Sequence, residues 1–92
     1  MTHTEIDRET LRALADEGNE AALDRLADRA DAAHDITELS DLLDEGSERA
    51  GFLLTRRAVA HGDLRELQRI SDAGYEDAGI QLTRLLRAPS TD

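Results

Sequence analysis

Apolar residues recur along this chain at intervals of three and four rather than two, and the intervals themselves recur. Leu11 and Leu14, Leu39 and Leu42, and Leu67 and Ile70 are pairs three apart, a spacing that puts both side chains on one face of a helix. Each pair is followed by a glycine, Gly18, Gly46 or Gly74. A glycine there predicts a helix stop, because the residue past a helix C-terminus often takes left-handed backbone, which glycine enters at least cost. A second series then begins, spaced four apart: Ala22 and Leu26, Ala50 and Leu54, Ala78 and Leu82. The pattern predicts a helix A of about ten residues and a helix B of about fourteen, three times over.

Every one of these features returns after 28 residues without a gap, defining units 7–34, 35–62 and 63–90 between tails 1–6 and 91–92 of a single 1–92 domain. Units one and two agree at 12 of 28 positions, units two and three also at 12, and eight columns agree in all three, which fixes the register. Asp7, Asp35 and Asp63 open the units as N-caps, and Glu38 and Glu66 stand three residues on, as in a capping box. Asn19 and Ser47 are positioned to cap helix B, whereas Tyr75 in the same column is a poor cap. Small and large residues alternate in fixed columns, with Ala32, Ala60 and Ala88 continuing the series, so that neighbouring helices can interlock. One hairpin has too little apolar surface to stand alone. The expected fold is therefore all-α: six helices in three antiparallel pairs, stacked as a short solenoid around one core.

Composition agrees with helices. Leu and Ala supply 14 residues each, against four Ile, one Val and seven Thr. The charge is lopsided: 21 acidic residues against 11 basic ones, all Arg, give −10. Such a chain repels phosphate backbones and anionic lipid, so neither nucleic acid nor a membrane surface is an expected partner. One Phe, one Tyr and no Trp leave no aromatic platform for stacking bases. The absence of Cys removes disulfides and thiolate chemistry. No apolar run reaches the ~18 residues of a membrane span, and Met1–Asp7 has no apolar signal core, so a cytoplasmic protein is expected. Arg without Lys fits a GC-rich genome, and the acid excess also fits a high-salt cytoplasm.

The stretch Ala15 to Ala27, with Asp16, Gly18, Asn19, Ala22 and Leu26 in place, resembles the inner core of Sel1-like repeats, relatives of the tetratricopeptide repeats. The period is shorter here. His34-Asp35 and Gly62-Asp63 stand where a longer Gly-rich loop is usual, and the families' aromatic positions are missing. The resemblance is to a shortened, tetratricopeptide-like member of the class. It implies a right-handed solenoid that serves as a partner-binding scaffold, with the A helices lining the concave face.

Candidate chemistry is sparse. His3 is in the tail, while His34 and His61 fall at the C-termini of B helices, where the helix dipole favours an imidazolium cap. No His-x-x-x-His or Glu-x-x-His spacing offers a metal site, and no Gly-x-Ser-x-Gly elbow or phosphate loop is present. The reading is a non-enzyme with no catalytic residue, metal or cofactor. Glu20, Glu48 and Glu76 suit the first turn of helix B. Asp16, Asp44 and Asp72 sit instead in the last turn of helix A, where an acid meets unfavourable carbonyls, so they either cap helix B or serve a partner. Arg25, Arg29, Arg56, Arg57, Arg84 and Arg87 occupy the far half of the B helices, matching the dipole and offering salt bridges between units.

Two surfaces follow. By the resemblance, the outward A-helix columns Glu9/Thr37/Arg65, Arg12/Ser40/Gln68 and Ala13/Asp41/Arg69 face a protein partner, and they vary while the core columns repeat. The partner-binding candidates are Arg12, Ser40, Asp41, Gln68 and Arg69 with Asp16, Asp44 and Asp72. An alternative function for the same acids is a decoy that occupies a basic or nucleic-acid-binding protein surface. The second surface is at the ends. Arg8 and Asp24 make the first unit polar where Ile36, Leu64, Phe52 and Ile80 stand later, while Ile80, Leu85 and Leu86 leave the last unit apolar. Those three either fold back on the core or make a homodimer through the third hairpin.

Overall fold

Six helices occupy most of residues 6–89, which are the residues the computed structural model describes. They are α1 (Arg8–Asp16), α2 (Glu20–Ala32), α3 (Ile36–Asp44), α4 (Glu48–His61), α5 (Leu64–Asp72) and α6 (Glu76–Arg87). The described residues contain no strand. Expectations for His3 and for residues 90–92 lie outside them.

All five connections are the same turn, built from two hydrogen bonds. Past α1, the Gly18 amide donates to the Ala15 carbonyl at 2.9 Å and the Asn19 amide to the Leu14 carbonyl at 3.0 Å. The same pair closes α2 through His34 and Asp35, α3 through Gly46 and Ser47, α4 through Gly62 and Asp63, and α5 through Gly74 and Tyr75. The first residue of each pair takes positive φ, which satisfies the helix-terminal carbonyls. Four are glycines; the fifth is His34 at φ 56°. In four of the five turns the second residue at once caps the next helix with its side chain. Asn19 Oδ1 accepts from the Ala22 amide at 2.9 Å, and Ser47 Oγ from the Ala50 amide at 3.0 Å. Asp35 and Asp63 do the same for the amides of Glu38 and Glu66. Asp7 caps α1, and Ile6 before it packs on the core that Leu11 enters, a hydrophobic staple.

One capping expectation needs correction. The reciprocal half of the capping box is not formed, because the Asp35 and Asp63 amides are already committed to the carbonyls of Ala30 and Ala58. Glu38 and Glu66 turn to arginines instead. Tyr75 makes no side-chain cap, as its chemistry predicts. Its ring lies over Gly51, where an added Cβ would stand 2.4 Å from the ring. Glycine at 51 is thus what admits the tyrosine.

Close helix packing runs within each hairpin, from α2 to α3 and α4, and from α4 to α5 and α6. The B helices form the shared spine. Leu26, Leu39, Leu42, Leu53, Leu54, Leu67 and Ile70 are fully buried along it, with Ala22, Ala27, Ala50, Ala58 and Ala78 at the close approaches. The column pattern fails at the margins. Leu14 is 38% exposed, and Leu82 is half-buried where Leu26 and Leu54 are buried, because no following unit covers the third hairpin among the described residues. Ala32, Ala60 and Ala88 are exposed rather than packed, since the helices end there. No helix of the described residues is long and apolar enough to cross a membrane.

Candidate interaction surface

The A helices stand beside the spine and are tied to one another by long side chains. Arg8 on α1 reaches Glu38 on α3, its Nε and Nη2 lying 2.7–2.9 Å from the carboxylate. Arg12, one turn on, bridges Asp16 on its own helix at 2.8 Å and Glu45 past the end of α3. Those two carboxylates hold the Arg12 guanidinium more firmly charged than usual, Glu45 contributing most. On α5, Arg69 pairs with Glu66 at 2.7 Å and donates to Ser40 Oγ on α3 at 3.0 Å. Its charge too is reinforced, first by Glu66 and further by the field of Asp44.

Of the sequence candidates, then, Arg12, Ser40 and Arg69 belong to one ladder across the A helices. Gln68 joins Asp72 instead, donating at 2.9 Å. Asp41 and Asp44 are exposed and accept no hydrogen bond among the described residues. The expectation that Asp16, Asp44 and Asp72 cap helix B is overturned. Asn19 and Ser47 hold that role, while Asp16 answers Arg12 and Asp72 answers Gln68, each one turn back on its own helix. A partner four residues earlier offsets the unfavourable dipole at a helix C-terminus.

Sequence reasoning missed Arg8, Glu38 and Glu45 as members of the ladder. The signal was there: each lies about one unit away from its partner, the offset expected of adjacent helices in a 28-residue stack. At the other edge, the salt bridges expected between units are found in a knot around Asp31. Arg57 donates to the Asp31 carboxylate and to its carbonyl, both at 2.9 Å, and lies 3.3 Å from His34 Nδ1. His61 Nδ1 donates to the Arg57 carbonyl at 2.8 Å, the helix-end cap expected of it. Arg49 reaches Asp28 at 2.7 Å, and both Arg49 and Arg56 lie over the exposed Phe52 ring, 5.3 and 5.7 Å from its centre.

Ile80, Leu85 and Leu86 do not form one patch. At about 100° per helical residue, Ile80 and Leu86 point about 120° apart. Ile80 shares the outer column of Phe52, and Leu86 is 65% exposed on the end of the stack. Leu85, at 37%, is turned between them toward the core side.

No group of three or more metal-ligating side chains is found among the described residues. The two described histidines are engaged at helix ends, and neither approaches a serine or threonine hydroxyl within hydrogen-bond distance. Comparison with protein-family models, with curated proteins and with solved structures finds no match.

Proposed function

We propose that the chain is a non-enzymatic interaction module that presents the A-helix face to a protein partner bearing basic side chains. The observation that carries this reading is the contrast between fixed and variable columns on a braced frame. Core columns repeat from unit to unit, while the outward positions 12/40/68 and 13/41/69 change at every step. The ladder holds Arg12, Ser40 and Arg69 among those positions in place, so these side chains have less entropy to lose on binding. Asp41 and Asp44 stand on that frame with their carboxylates accepting no hydrogen bond and forming no ion-pair contact among the described residues, and they supply the charge that a basic side chain would meet. The interleaved arginines weigh against the acidic decoy, which gains most from carboxylates left unpaired.

Co-purification from a native extract tests the reading. A protein retained by the wild type and lost with Asp41→Arg/Asp44→Arg, at unchanged helicity, supports it. A protein retained equally by both sinks it.

A further inference from the structure

The end of the stack repeats, uncovered, the side that each earlier unit buries. In unit one that side is Leu23, Leu26, Ala27 and Ala30; in unit two it is Gly51, Leu54, Thr55 and Ala58. Leu26, Ala27 and Ala30 are at most 5% exposed, and Leu54, Thr55 and Ala58 at most 4%, because the next hairpin lies on them. The same columns in unit three read Gly79, Leu82, Thr83 and Leu86, positions i, i+3, i+4 and i+7 of α6, a continuous helical stripe. Among the described residues no further hairpin lies on it; within its own hairpin Ser71 Oγ stands 2.8 Å from where an added Gly79 Cβ would be, and Leu82 is half-buried. Leu86 has also replaced the alanine of the two earlier units, so this side carries more apolar surface than the matching, buried side of unit two.

The charges beside the stripe show what fits. Glu76 opens α6 and Arg87 closes it, both exposed, and neither joins an ion pair among the described residues. A helix acidic at one end and basic at the other is complementary to itself when a copy runs antiparallel. The register then fixes itself. With Leu82 on the two-fold axis, Leu86 lies four residues one way and Gly79 three the other, so each Leu86 stands opposite Gly79 of the other copy to within about one residue of 1.5 Å rise. Glu76 and Arg87, six before and five after, fall opposite each other in the same register.

Stacking head to tail is disfavoured by the same columns. The interior pair Asp31 with Arg57 would become Arg87 against Arg29, two cations, and the buried Leu53 would be replaced by Arg25.

We infer that the chain forms a two-fold homodimer through the outer side of α6, in which Leu82 meets its twin, each Leu86 packs alongside Gly79 of the other copy, and Glu76 faces Arg87. This surface is separate from the A-helix face and stands or falls independently of the proposed partner.

Sedimentation equilibrium on the full chain tests it. The wild type is expected to reach the mass of two chains, and Leu86→Glu, at a side chain already largely in water, that of one chain with its helicity intact. Glu76→Arg alone and Arg87→Glu alone should each weaken association roughly tenfold or more, since each sets like charges together twice across the axis. Mixing those two variants should restore it, because each then offers the other's complement at both contacts. A wild type that stays single up to about 500 µM overturns the inference, that being far above the range where specific dimers form. A dimer indifferent to Leu86→Glu, or variants that do not recover on mixing, overturn it as well.

Discussion

Leu54 and Leu82 occupy the same column one unit apart, yet one is 1% exposed and the other only half-buried, so truncating each to alanine isolates what a covering hairpin contributes. Leu→Ala removes about three methylene equivalents, which at about 0.8 kcal/mol each is about 2.5 kcal/mol of transfer free energy. At position 54 hairpins on both sides hold the gap open, and a residual cavity of about 50 Å³ at about 24 cal/mol per Å³ adds about 1 kcal/mol. Leu54→Ala should therefore cost about 3–4 kcal/mol, a large share of the roughly 5–14 kcal/mol that a chain of this size holds. For a domain of this length that is a fall of about 15–25 °C in Tm, read by circular dichroism at 222 nm. Leu82→Ala leaves no closed cavity and loses only part of the transfer free energy, about 1–2 kcal/mol, when measured at about 1 µM so that self-association adds nothing. Equal losses at the two positions would refute the reasoning, as would a loss below about 1.5 kcal/mol at Leu54.

Two further outcomes follow from the turns and caps. His34 occupies a left-handed slot that four glycines fill elsewhere, so His34→Gly should relieve about 1–2 kcal/mol of backbone strain against about 0.5–1 kcal/mol of added chain entropy. A Tm rise of a few degrees is expected, and a fall would show that the contact of His34 with Arg57 outweighs the strain. The Thr10 amide, donating at 2.7 Å, holds the Asp7 carboxyl below its ordinary value, so the cap's contribution is complete above the unfolded value near 3.8 and is lost as pH falls through the lower folded value. Asp7→Asn keeps the acceptor but does not titrate there. Its stability should fall less steeply than the wild type's below about pH 4, and parallel acid limbs would contradict the assignment.

The sequence carried the helices and their turns because both are set locally. Three-and-four spacing decides which face is apolar, and a glycine followed by a cap residue decides where the chain reverses, as at Gly18 and Asn19. The left-handed backbone at His34 was less legible, since histidine signals it far more weakly than glycine; its alignment just ahead of the Asp35 cap marks the turn. The surface was harder still. Asp16 could cap helix B or join Arg12, and local chemistry allows both; the nearness of α3, which lets Arg12 take Glu45 and Asp16 together, is a tertiary fact. Leu82 read as core because its column is core, but burial also needs a neighbour. Ile80, Leu85 and Leu86 read as one patch because all are apolar and late in the chain, whereas helical angle separates them.

The uniform turn has a kinetic corollary. Since five like reversals connect the six helices, and close packing joins only elements of the same or the next hairpin, every contact is made between segments near in the chain. Ring closure is short throughout, so little entropy has to be surrendered before the first contacts reward it, and folding is expected in the microsecond-to-millisecond range of helical proteins. The process also has a direction. The middle hairpin alone touches two neighbours, so structure that starts there can spread both ways, while opening begins at an end where only one junction must break. Amide hydrogens of α4 should consequently exchange last, and a molecule with one terminal hairpin undone and two still stacked is a natural waypoint rather than a defect.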